Sequence, residues 1–131
     1  MTAELKYLAL AATLTALIWV PYILNVIAVR GVLDAVGYPE SPKPIAKWAQ
    51  RMRAAHYNAV ENLVVFTALV LVAHELDMHS DATVLAAMVY FWARVVHLVA
   101  YTFAIAWVRT LAFVAGVACQ ITFALKILSA M

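Results

Sequence analysis

The chain is short of charge. Asp, Glu, Lys and Arg together make up 12% of its 131 residues, against about 25% in an ordinary soluble domain. A water-exposed globule is therefore excluded, and a net charge of only +2 leaves no dense basic surface for nucleic acid. Cysteine occurs once, at Cys119 inside an apolar stretch. No intrachain disulfide can form, and the thiol reads as a small buried hydrophobe. Glycine occurs three times and proline four. So few breakers confine loop-like composition to one stretch, and neither an internal repeat nor a low-complexity tract is present.

What fills the chain is apolar side chain, at 67% of residues. A membrane-spanning helix needs about 20 mostly apolar residues, and four windows qualify, at 5–29, 54–75, 82–106 and 109–128. The first begins without a basic leader and is too long for a signal-peptide core, so it is expected to remain as a helix. Pro21 is expected to kink it, because a proline removes one backbone donor and crowds the preceding turn. "RGVLDAVGYPESPKPIAKWAQR" is the one substantial loop, and "HELDMHSD" is a short hairpin in which Asp81 is placed to cap the third span. The third and fourth spans join through a few residues around Trp107. Short connections make neighbours antiparallel, so the expected fold is an all-α, four-helix, up-down membrane bundle forming a single domain over 1–131.

The basic residues are uneven. Arg30, Lys43, Lys47, Arg51, Arg53 and Arg109 fall on one side, against Lys6 and Lys126 on the other. The positive-inside rule puts loop 30–53 in the cytoplasm and both termini across the bilayer. Trp19, Trp48, Trp92 and Trp107 are candidate interfacial anchors, with Trp19 and Trp92 open to packing inside instead. His56 is expected at the interface, and the spacing of His74 and His79 does not make a metal site.

Polar residues inside the spans need a reason, because lipid does not solvate them. At about 100° per residue, Arg51, Asn58 and Asn62 share one stripe of the second span, with Glu61 on its shoulder. In the third, Tyr90, Arg94, His97 and Tyr101 fall within about 60° of one another. The fourth opens with Arg109 and carries Gly116 and Gln120 on the same face. Two readings follow. Glu61 and Arg94 form a buried ion pair gluing helices together, or the stripes converge on a cleft for a small polyanion. Arg109 at a helix start would stabilise a developing anion there, including a thiolate.

These residues resemble the MAPEG family, membrane-associated proteins in eicosanoid and glutathione metabolism. The likeness covers nearly the whole chain and rests on "AHYNAVENLVVF", similar to the family's Arg-Ala-His-x-Asn-x-x-Glu signature, and on "ARVVHLVAY" followed by "VRT". It implies a homotrimer with glutathione as co-substrate between subunits and a lipophilic small-molecule substrate; a compact chain without a retention tail is compatible with a bacterial inner membrane, and no metal is expected. By position it implies Arg109 as the thiolate-stabilising arginine, with Thr110 in place of a serine. It implies Arg30 as a contribution from the neighbouring subunit, and Arg51, Asn58, Glu61, Arg94, His97 and Tyr101 as ligand-binding residues. The chain departs from the pattern at Ala54 and Tyr57, where members carry arginine, and at Phe113, where some carry tyrosine. The function implied is a glutathione-dependent transferase or peroxidase. The alternative is a differently liganded or non-catalytic relative that binds another small anion or a lipid.

Overall fold

The computed structural model describes residues 1–130. Five helices form: α1 (Ala3–Leu17), α2 (Trp19–Val36), α3 (Lys47–Glu75), α4 (Asp81–Thr102) and α5 (Ala106–Leu128). α1 and α2 together make one 34-residue span, and α3, α4 and α5 are each also long and apolar enough to cross a membrane. The chain is an integral membrane protein.

The break between α1 and α2 falls at Ile18. Its cause lies three residues on, since the Pro21 ring would collide with the Leu17 carbonyl in a continuous helix. Arg30 ends the regular part of α2, because Gly31 adopts φ 76°, ψ 163°, a conformation only glycine takes without strain. The loop that follows is stapled back to α2. Asn25 Oδ1 accepts from the Ala46 backbone N–H at 3.0 Å, and Arg30 Nε donates to the Lys43 carbonyl at 2.8 Å.

Several boundaries differ from the sequence reading. α3 begins at Lys47 rather than 54, because residues 47–53 form its first turns, with Lys47, Arg51 and Arg53 at the end of the span that solvent reaches. Ser80, not Asp81, caps α4: its side chain accepts from the Thr83 N–H, and Thr83 Oγ1 accepts from the Ser80 N–H. The last connection is residues 103–105, with Ala104 left-handed at φ 62°, so Trp107 already lies in α5. All four tryptophans are exposed, Trp19 and Trp92 included.

Two apolar clusters hold the bundle. One joins Leu8 and Ala11 of α1, Phe66 and Val70 of α3, Ala87 and Tyr90 of α4, and Cys119 and Phe123 of α5. The early part of α1 and α4 thus meets the late part of α3 and α5, which is up-down-up-down order. Phe66 is its centre, stacked on Tyr90 at 3.7 Å between ring centroids and edge-on to Phe123 at 5.9 Å. The second cluster packs Ile18 at the break and Tyr22 and Val26 of α2 on Ala49 and Ala59 of α3. The Tyr22 hydroxyl and His56 Nδ1, 2.8 Å apart, tie those helices together.

At the end of the bundle that carries the α3–α4 turn, the α1 residue Glu4 is only 4% exposed. Its carboxylate accepts from Thr83 Oγ1 at 2.7 Å and lies 3.3 Å from His79 Nδ1. Nothing in the chain's local patterning links residues so far apart, and this contact is what fastens the start of α1 to the hairpin. The opposite end, with loop 37–46 and the α4–α5 turn, holds the polar stripes' outer ends.

Candidate functional site

The inward faces of α3, α4 and α5 meet along a polar seam. Arg94 is 5% exposed in its centre, and its Nη1 donates to Asn58 Oδ1 at 2.9 Å. Asn62 Nδ2 donates to the Asn58 carbonyl at 2.9 Å, and Gln120 Nε2 reaches the Asn62 carbonyl at 3.2 Å. The side of the guanidinium that carries Nε and Nη2 faces Gly116, where an added Cβ would lie 3.7 Å from Nη2. The ion pair between Glu61 and Arg94 does not form within the chain. Glu61 lies roughly 80° off the stripe's centre, and it is exposed while Arg94 is buried.

Toward the α4–α5 turn the seam opens into two hollows. One, of about 300 Å³, is lined by Asn58, His97, Tyr101, Arg109, Thr110 and Phe113. The other, of about 180 Å³, has Arg51, Tyr101 and Arg109 among its walls. Arg109 and Tyr101 belong to both, and the guanidinium sits over the tyrosine ring, 4.9 Å from its centroid. The turn builds this meeting point. Left-handed Ala104 reverses the chain within three residues, and Arg109 follows one turn into α5, its N–H donating to the Ile105 carbonyl. Arg51 is oriented from α3 by its Nε, which donates to the Thr102 carbonyl at the end of α4, 2.8 Å away.

Chemically, these hollows offer positive charge and directed donors. Among the described residues neither Arg51 nor Arg109 has a carboxylate partner, so an anion arriving there meets uncompensated charge. Thr110 Oγ1 donates its proton to the Ala106 carbonyl at 3.0 Å, which leaves its lone pairs to accept from a guest. His97, 4% exposed, packs against both Tyr101 and Phe113, at 5.5 and 6.4 Å between ring centroids. Larger hollows lie elsewhere, including one of about 410 Å³ beside Trp48, Met52 and Phe103. Its lining contains no ionisable side chain, so it is a place for hydrocarbon and not for chemistry.

Of the residues singled out in the sequence, Arg51, Asn58, His97, Tyr101, Arg109 and Thr110 therefore come together. Arg94 lines neither hollow and stands behind Asn58. Arg30 is held at the loop, and Glu61 points outward from α3. Arg53 turns to Tyr57, its Nε donating to the hydroxyl at 3.0 Å, and so does not substitute for the arginine missing at Ala54. Asn62 and Gln120 were visible as members of the stripes, but their linkage to Asn58 depends on how α3 and α5 pack. Among the described residues no group of three His, Cys, Asp or Glu is placed to hold a metal ion.

A model of the MAPEG family matches residues 8–129. No curated protein and no solved structure matches the chain.

Proposed function

Because the chain belongs to the MAPEG family, whose members serve eicosanoid and glutathione metabolism, we propose that it is a glutathione-dependent transferase or peroxidase acting on lipophilic electrophiles. The observation that carries this reading is Arg109, a guanidinium without a carboxylate partner, held over Tyr101 where the two hollows meet. A cation fixed in that way favours the ionised form of a thiol beside it. Thr110, one residue on, has its hydroxyl proton committed to the Ala106 carbonyl, so it serves the site as an acceptor for a donor on the polar part of the guest and not for the thiolate. Asn58, Tyr101 and Arg51 hold the polar remainder of the peptide, and His97 fixes the position of the Tyr101 ring from behind. The sulfur so prepared supplies the nucleophile for an electrophilic carbon or a hydroperoxide oxygen. Apolar hollows on the bundle's outer surface, such as that beside Trp48 and Phe103, suit a substrate arriving through the bilayer.

The assembly in this reading is a homotrimer. Glu61 supports it, because a charged side chain exposed in a spanning helix is better matched by another protein surface than by lipid. Arg30 from a neighbouring subunit then adds a further cation to the site. The charge distribution supports an orientation with loop 30–53 in the cytoplasm and both termini opposite, as expected for a bacterial inner-membrane protein of this reading.

A second reading keeps the cleft and changes the guest. Phe113 brings a ring without a donor to the larger hollow, and Ala54 removes one cation, so another small anion or a lipid head group would be bound without catalysis. Calorimetric titration of glutathione into the purified protein in detergent separates the two. Saturable binding that is weakened in Arg109→Gln supports the enzyme, and absence of binding to an intact assembly supports the second reading.

A further inference from the structure

The feature the proposed chemistry leaves unexplained is Arg94. A buried cation is costly unless paired, yet among the described residues Arg94 has no carboxylate partner, and its Nε and Nη2 have no hydrogen-bond partner at all. Its one hydrogen bond goes to Asn58 Oδ1. An arginine can only donate, so that bond dictates which end of the Asn58 amide faces it. The oxygen must turn toward Arg94, and the NH₂ group is left for the hollow that Asn58 lines. Two further residues push the same way. Asn62 Nδ2 donates to the Asn58 carbonyl and lies 3.4 Å from Oδ1, and Gln120 Nε2 donates to Asn62 from α5.

We infer that Arg94, Asn62 and Gln120 are positioning residues that lock the Asn58 side-chain amide with its donor end in the hollow, so that the ligand group met there is an oxygen acceptor, a carboxylate or an amide carbonyl. The inference rests on the reading that a peptide thiol occupies this hollow. It assigns Asn58 a polarity that the residue type alone leaves open, since asparagine offers both donor and acceptor. It also gives Arg94 a role other than contact with the ligand. An unlocked amide would rotate to suit either kind of guest; a locked one discriminates against groups that can only donate. That discrimination gives a reason for retaining an unpaired cation inside the bundle.

The decisive variant is Asn58→Asp in the full-length protein in detergent. Its carboxylate gives Arg94 a charged partner, so melting is expected at or above the wild-type temperature. The group facing the hollow, however, becomes an acceptor opposite an acceptor. Glutathione affinity measured by calorimetry is expected to fall roughly tenfold or more, and wild-type affinity in Asn58→Asp would overturn the inference. A second measurement needs no ligand. The chain has three asparagines, Asn25, Asn58 and Asn62, so selective ¹⁵N-asparagine labelling gives three side-chain amide signals, with that of Asn58 identified by its loss in Asn58→Asp. In Arg94→Met the Asn58 amide is expected to be released, so that its single averaged signal moves toward the position and fast relaxation of a freely rotating side-chain amide, while Asn25 stays in place. An unshifted Asn58 signal would overturn the lock. If the wild type fails to bind glutathione while Arg94→Met frees the Asn58 signal in this way, the proposed function falls and the lock stands.

Discussion

Replacing Arg109 by glutamine removes a full charge from the place where the two hollows meet while keeping a side chain of comparable reach. The expected effect follows from Coulomb's law. A thiolate about 4 Å from a guanidinium gains about 4 kcal/mol at an effective dielectric of about 20, and about 1 kcal/mol in bulk water. Arg109 is neither buried nor fully exposed, so the stabilisation falls between those limits. At 1.36 kcal/mol per pH unit, that is a displacement of about 1–3 units. A free cysteine thiol titrates near ~8.5, so a thiol bound beside Arg109 should lose its proton at about pH 5.5–7.5. In Arg109→Gln the midpoint should return upward by the same 1–3 units. Arg109→Lys keeps the charge but not the planar contact with Tyr101, and should give an intermediate value. The assay is a pH titration of thiolate ultraviolet absorbance with the protein saturated in glutathione, using S-methylglutathione as baseline and size-exclusion chromatography to check assembly. An unchanged midpoint in Arg109→Gln, with binding and assembly preserved, would refute the assignment of Arg109 to the sulfur.

Three further outcomes test the frame that holds the site. Phe66 is fully buried between Tyr90 and Phe123. Because the separated helices also sit in lipid, its loss is mainly a cavity cost: about 24 cal/mol per Å³ over roughly 100 Å³ gives about 2.4 kcal/mol for Phe66→Ala. Unfolding in mixed detergent micelles measures it, and a loss below ~1 kcal/mol would contradict this packing. Thr83→Val keeps shape but removes the hydroxyl that serves Glu4 and the α4 cap; it should cost about 1–3 kcal/mol in the same assay and leave glutathione affinity unchanged, because it lies at the other end of the bundle. Gly31→Ala meets no atom within 4 Å but must adopt φ 76°, ψ 163°, so it should lose about 1–3 kcal/mol from backbone strain alone. A neutral result would show that α2 can straighten there.

The spans and the stripes were legible in the sequence because each depends on one helix at a time. Asn58, His97, Tyr101 and Arg109 could be chosen from hydropathy and helical spacing, with the family likeness supplying their roles. Partners could not be chosen in that way. Glu61 and Arg94 were matched by opposite charge, but a shift of about 80° around α3 turned the carboxylate outward and gave the arginine to Asn58. The α4 cap was misplaced by one residue because Ser80 and Asp81 are both good capping types, and only the backbone decides which of them is extended. The contact of Glu4 with Thr83 joins residues 79 apart and has no local signature.

By itself the sequence determined that this is a membrane protein of four spans, since too little charge and too much hydrocarbon leave no other place for it to fold. It also determined that polar side chains line the inward faces of the last three spans. Only the tertiary structure decided which of them face the hollow and which stand behind. That choice turns on the rotation and depth of each helix against its neighbours, which a period of 3.6 residues constrains only within a single helix. The same packing put Arg109 over Tyr101 and gave the oxygen end of Asn58 to Arg94.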